Sequence, residues 1–100
     1  MLIHLGSSEE FKNLVSKGVV LVDMFATWCG PCRMLAPELE KLAAEMPELT
    51  IIKVDVDEFE DLAQDYGVSA VPTLILFKEG KVAKIQPGFQ SVGMLKAFVN

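Results

Sequence analysis

Two spacings of apolar residues alternate along the chain: short continuous runs that suit buried strands, and residues three and four apart that suit one face of a helix. Leu2 to Leu5 is the first apolar run and stops at Gly6. Ser7 and Glu10 stand at the spacing of a capping box, which predicts a helix with Phe11, Leu14 and Val15 on one face, closed by Lys17-Gly18. Val19 to Ala26 is apolar almost throughout and β-branched at its start, the pattern of a central strand covered on both faces. Asp23 is its one intruder. A long helix is expected from Cys29 to about Met46, carrying Leu35, Leu39, Leu42, Ala43 and Met46 at helical spacing. Pro37 falls inside it and is expected to kink it, because a proline there removes a hydrogen bond and crowds the preceding turn.

Leu49 to Val56 reads as the next strand, with Lys53 in an otherwise apolar run. Asp57 is expected to cap a short helix, with Glu60 at the capping-box position, Phe59, Leu62, Ala63 and Tyr66 on one side, and Gly67 as its stop. Thr73 to Phe77, a turn at Glu79-Gly80, and Val82 to Ile85 predict an antiparallel hairpin, ended by Pro87 and Gly88. A last helix starts at Ser91 and buries Leu95, Phe98 and Val99. The order β-α-β-α-β-α-β-β-α predicts an α/β fold: right-handed crossovers, then a hairpin, in a mixed sheet with helices on both faces. The long helix begins at the carboxyl end of a central strand, where open α/β sheets place their chemistry.

Composition narrows the picture. One hundred residues, 51% of them apolar, suffice for one domain over residues 1–100 with a modest core. Fourteen acidic residues against nine basic ones give a net charge of −5, which disfavours nucleic acid or an anionic membrane surface as a partner. No apolar stretch approaches the length of a spanning helix, and Met1-Leu2-Ile3-His4 lacks the basic start of a signal peptide, so a cytoplasmic location is expected. His4 reads as a strand or surface residue rather than a ligand, and the five methionines read as core filler.

The candidate chemistry lies in Trp28-Cys29-Gly30-Pro31-Cys32, which holds both cysteines of the chain. Residues three apart at a helix start share a face and can be bridged. Unpaired N–H groups and the positive end of the helix dipole stabilise an anion there, so Cys29 is the candidate nucleophile. Pro31 suits the first helical position, and Gly30 lets a partner backbone approach the sulfur. Three other readings stand beside a reversible dithiol. A structural disulfide closing so small a ring constrains little of the unfolded chain. A zinc site needs four ligands, and only this pair and the distant His4 are available. Two cysteines that merely pack would leave Gly-Pro between them at a helix start unexplained. A redox pair fits best, and a cysteine pair in a reducing compartment is more often catalytic than structural.

These residues resemble the thioredoxin family. The Trp-Cys-Gly-Pro-Cys stretch is similar to its signature, and Asp23, Lys53, Val71-Pro72-Thr73 and Gly88 fall where its pattern places them, over essentially the whole chain. Phe25 stands where many relatives carry a second tryptophan, Pro87 precedes Gly88 where a residue with an N–H is more usual, and the last helix is short. The resemblance implies the thioredoxin fold and a disulfide reductase, in which Cys29 attacks a target disulfide and Cys32 resolves the mixed disulfide. No cofactor or metal is expected beyond the Cys29–Cys32 pair itself. The implied partners are disulfide-bearing proteins and an electron donor of the thioredoxin-reductase type, with the chain a monomer.

Asp23 can be read as a structural partner of Lys53, or as a buried acid of raised pKa that exchanges a proton with Cys32 while Lys53 modulates it. The resemblance favours the second. Trp28 can pack the core or form an apolar apron for substrate beside an exposed Cys29, and the apron is preferred. Val71-Pro72 can be an ordinary strand entrance. The resemblance implies instead a cis bond that turns the Val71 backbone toward an extended substrate, with Gly88 beside it. Gly30-Pro31 supplies no charge to stabilise the thiolate further, which favours a reductant over an oxidase or isomerase of the same fold. A binding module that uses the same groove without turnover is the alternative from another class.

Overall fold

The computed structural model describes all of residues 1–100, and its elements follow the order read from the apolar pattern. They are β1 (Leu2–His4), α1 (Ser8–Val15), β2 (Val19–Phe25), α2 (Gly30–Glu45), β3 (Thr50–Asp55), α3 (Glu60–Asp65), β4 (Thr73–Lys78), β5 (Lys81–Pro87) and α4 (Val92–Phe98). The five strands form one sheet in the order β1-β3-β2-β4-β5. β3 pairs in parallel with both β1 and β2, whereas β4 runs antiparallel to β2 and to β5. β2 thus lies in the middle, and Val20, Leu21, Val22, Asp23 and Met24 are all buried.

Alternation along the strands divides the core into two layers. On one face Val20, Val22, Ile52, Val54, Ile75 and Phe77 meet Phe11 and Val15 of α1 and Leu62 of α3. The rings of Phe11, Tyr66 and Phe77 pack there edge-on or tilted, with centroids 5.5–5.8 Å apart. On the other face Leu21, Ile51, Leu74 and Leu76 meet Leu35, Leu39 and Leu42 of α2 and Leu95 of α4. α2 and α4 are also tied by the Glu38 carboxylate, which accepts the Val92 N–H at 2.9 Å. That bond, reinforced by Lys41, holds the Glu38 carboxyl below its usual range.

Several local expectations change. The Glu10 carboxylate does accept the N–H groups of Gly6 and Ser7 at the start of α1. Asp57, however, does not cap α3, which begins at Glu60 behind an N-cap at Phe59. The turn between β3 and α3 is made by Asp55, whose carboxylate accepts the Asp57 N–H at 2.9 Å. α2 runs from Gly30 to Glu45 with Pro37 inside it, as its apolar spacing predicts. Pro31 is its second residue, not its first, and still falls among the N–H groups without an intrahelical partner. Of the methionines only Met24 is fully buried, while Met1, Met34 and Met94 are exposed, because helical spacing alone does not say which side a flexible side chain faces. Phe98 is half-buried, with the Lys84 ammonium 5.4 Å from its ring centroid. Every residue of β5 is exposed, as befits an edge strand, and it carries Lys81, Lys84 and Pro87, which discourage further pairing.

Candidate active site

β2 ends at Phe25, and the chain turns through Thr27 and Trp28 into the N-terminus of α2, where Cys29 is the N-cap. The cysteine adopts an extended backbone (φ −91°, ψ 117°), and its Sγ accepts the N–H of Cys32 at 3.2 Å. A helix-terminal donor thus points at this sulfur, where the helix dipole favours negative charge. Cys29 and Cys32 are joined as a disulfide, with Cα atoms 5.2 Å apart. Both residues are buried, at 5% and 3% exposure, so the expected exposed Cys29 is not found. Ala26, Phe25, Val56 and Val71 close over the pair, and what distinguishes the two sulfurs is their position along α2.

Residues far apart in the chain converge on this turn. The Val71 carbonyl oxygen lies 3.6 Å from Cys29 Sγ, and the Val71-Pro72 bond is cis. Pro72 in turn accepts the Gly88 N–H at 2.8 Å, which places the Gly88 loop beside it. Gly88 has φ +103°, a conformation that side chains with a Cβ rarely adopt, and the space where a Cβ would lie is open. The space above Gly30 is open as well. Trp28 is 67% exposed and lines a hollow of about 200 Å³ with Val56, Val68 and Val71.

In the middle of β2, Asp23 is fully buried and neither carboxylate oxygen has a hydrogen-bond partner. Lys53 Nζ lies 3.9 Å from Asp23 Oδ2 and 4.7 Å from the Phe25 ring centroid. Burial pushes the Asp23 carboxyl up to about 6, and the lysine charge offsets only part of that rise. A cleft of about 250 Å³ lined by Phe25, Thr27, Cys32, Arg33 and Lys53 brings Cys32 and the lysine to one solvent-connected space.

Asp57, read from sequence only as a helix cap, and Arg33, which the sequence reading passed over, both belong to this region. Asp57 Oδ2 accepts the Trp28 indole N–H at 2.8 Å, and the Arg33 guanidinium donates to the Thr27 carbonyl at 3.0 Å. Arg33 follows directly on Cys32, so its closeness was available in the sequence. Nothing local could have paired Asp57 with a residue 29 positions away.

A disulfide closed across one turn at a helix N-terminus, at the carboxyl end of a central strand, is the arrangement of a thiol–disulfide oxidoreductase. The comparisons with known proteins agree. The family model Thioredoxin matches residues 3–100. A thioredoxin of Chlamydia trachomatis is 49% identical over 89% of this chain and 87% of its own, and one of Bacillus subtilis is 45% identical over 100% and 97%. Among solved structures, a mutant thioredoxin from Halobacterium salinarum superposes with a TM-score of 0.90 at 40% identity, covering 98% of this chain and 87% of its own. The oxidized mitochondrial thioredoxin 3 of Saccharomyces cerevisiae gives 0.89 at 35% identity, covering 98% and 92%. The chain belongs to the thioredoxin family, and it is a protein-disulfide oxidoreductase with the thioredoxin fold.

Proposed function

We propose that the chain, as one domain, works in the reducing direction on disulfides of other proteins. The observation that carries this reading is the Cys29 sulfur at the N-cap of α2, accepting a backbone N–H and within reach of the Val71 backbone. In the dithiol form the Cys29 thiolate attacks one sulfur of a target disulfide, and the other target sulfur leaves as a thiolate. Asp23, ionised above its raised pKa, takes the proton of Cys32. The Cys32 thiolate then attacks Cys29 Sγ, the second target thiolate leaves, and the chain is left as the disulfide. Lys53 sets how readily Asp23 accepts that proton. Gly30 and Pro31 place no charged group between the two cysteines to stabilise the thiolate further, which supports a reductant.

Trp28, Val71, Pro72 and Gly88 form the groove in which an extended target segment lies along the Val71 backbone. Its partners are disulfide-bearing proteins and an electron donor of the thioredoxin-reductase type. The chain acts in the cytoplasm as a monomer. No helix is long and apolar enough to cross a membrane. Insulin precipitation driven by dithiothreitol tests the reading: the wild-type chain accelerates it, and the double Cys29→Ser, Cys32→Ser variant does not. Equal rates for the two would overturn it, and partner capture that survived the double change would point to a binding module.

A further inference from the structure

The register of the sheet brings a second hollow to the same end of the molecule as the disulfide. Met24 near the end of β2 pairs with Thr73 at the start of β4, and Thr73 pairs with Pro87 at the end of β5. Gly88 follows at once, hydrogen-bonded to Pro72, so the loop into α4 leaves from the rim of the proposed groove. Directly beyond it Gln86, Pro87, Phe89, Gln90, Met94 and Phe98 line an open hollow of about 420 Å³ between β5 and α4.

Its chemistry is that of a site for an uncharged, apolar group. None of its lining residues is charged, although the chain carries a net charge of −5. Phe89 and Met94 are 39% and 55% exposed, large apolar side chains for which the fold offers no cover. Met94 is unbranched and polarizable and adapts to differently shaped partners. Two of the lining residues are polar, Gln86 and Gln90; Gln90 is only 5% exposed, yet its amide makes no hydrogen bond within the chain. Its polar atoms are not sealed in the interior either, since Asp23 alone holds such atoms. A mostly buried residue with a free amide in the lining of an apolar hollow is how small sites fix the orientation of what they bind.

We infer that this hollow is a specificity subsite that takes one apolar side chain, of leucine or phenylalanine size, from the disulfide-bearing target segment. The inference rests on the proposed reading in which that segment lies along Val71 and past Gly88. From the Cys29 sulfur the path runs through Val71, Pro72 and Gly88 to Phe89. A segment extended along this path, rising about 3.3–3.6 Å per residue, reaches the hollow with a side chain at a fixed number of residues to one side of the target cysteine. The Gln90 amide is then free to bond the backbone of the same segment.

The test uses peptides whose single cysteine is disulfide-bonded to thionitrobenzoate, so that attack by the reduced chain releases a coloured thiol. All other positions are serine or glycine, and one leucine or phenylalanine is moved along the peptide from one to six residues on either side of the cysteine. The subsite predicts a rate gain of roughly tenfold over the all-serine peptide, confined to one side and to one or two positions. Met94→Glu and Phe89→Ser should each reduce that ratio to near one. A gain at no position, or one that survives both changes, would overturn the subsite. Sedimentation velocity on the same proteins covers another occupant: a wild-type dimer dissociated by Met94→Glu would assign the hollow to a second copy and overturn the inference. If the wild-type chain reduced not even the all-serine peptide, the reductase reading would fall and the subsite with it.

Discussion

The indole N–H of Trp28 donates to Asp57 Oδ2 at 2.8 Å, so the most exposed aromatic ring of the active-site turn is held from the loop after β3. An exposed ring without such a bond samples several rotamers, and ordering it then costs binding free energy. Asp57→Ala is expected to free the ring with little effect on the fold, less than about 1 kcal/mol, since the pair is solvent-exposed. Trp28 is the only tryptophan, so fluorescence reports on it alone. Anisotropy should fall, acrylamide quenching should rise, and KM for a protein disulfide should increase several-fold while kcat changes little. Unchanged anisotropy would mean that packing, not the hydrogen bond, holds the ring.

The order of attack rests on helix position, because burial does not separate the two cysteines. Cys29 caps α2 and accepts a backbone N–H, whereas Cys32 lies within the first turn beside the cleft that leads to Lys53. Cys32→Ser should therefore accumulate stable mixed disulfides with targets through Cys29, identifiable by mass spectrometry. The Cys29→Ser variant should form few. Adducts through Cys32 at the same rate would reverse the assignment.

Asp23 makes stability depend on pH in a determined direction. Its folded pKa of about 6 lies above the ordinary 3.8, so the folded state binds the extra proton between those values. Its contribution is therefore most favourable below the lower value and declines as pH rises toward the upper one, by about 3 kcal/mol in all. Asp23→Asn does not titrate. It should stabilise the chain by up to that amount at pH 7.5 and by little at pH 4, as read from urea midpoints. The same variant should resolve mixed disulfides more slowly at neutral pH, roughly 10²-fold, having lost the base that serves Cys32. A variant less stable than wild type at pH 7.5 and equally fast would make Asp23 a structural partner of Lys53 only.

Lys53→Met removes the one charge that opposes the desolvation of Asp23. The Asp23 pKa should then rise above about 6, as followed by the carboxyl carbon shift in a pH titration. Destabilisation should be small at pH 5, where Asp23 is largely protonated in both proteins, and larger at pH 8, where the charged carboxylate has lost its partner. Loss of the contact with Phe25 adds a part that does not vary with pH. An unmoved Asp23 titration would show that solvent in the cleft screens the pair completely.

What the sequence determined by itself is what a few neighbouring residues decide together. The period of the apolar positions set the order of strands and helices, since a period of two or of 3.6 is a property of the local backbone. The start of α2 was equally local: Gly30, Pro31 and the cysteine spacing act through φ angles and free N–H groups within one turn. Asp23 stood out because a carboxylate in a fully apolar strand has nowhere to be but buried. The tertiary structure alone decided which surfaces meet. Helical spacing marked a buried side for α4 but did not show that Met94 would be left uncovered, because that depends on how far the neighbouring β5 reaches. Asp57 looked like a helix cap, and only the placement of Trp28 by α2 and of its loop by β3 gave that carboxylate a different donor. Val71 meets Cys29 across 42 residues because β4 pairs with β2 in one register. Register is fixed by side chains fitting on both faces of a sheet at once, a condition that no single stretch of the chain contains.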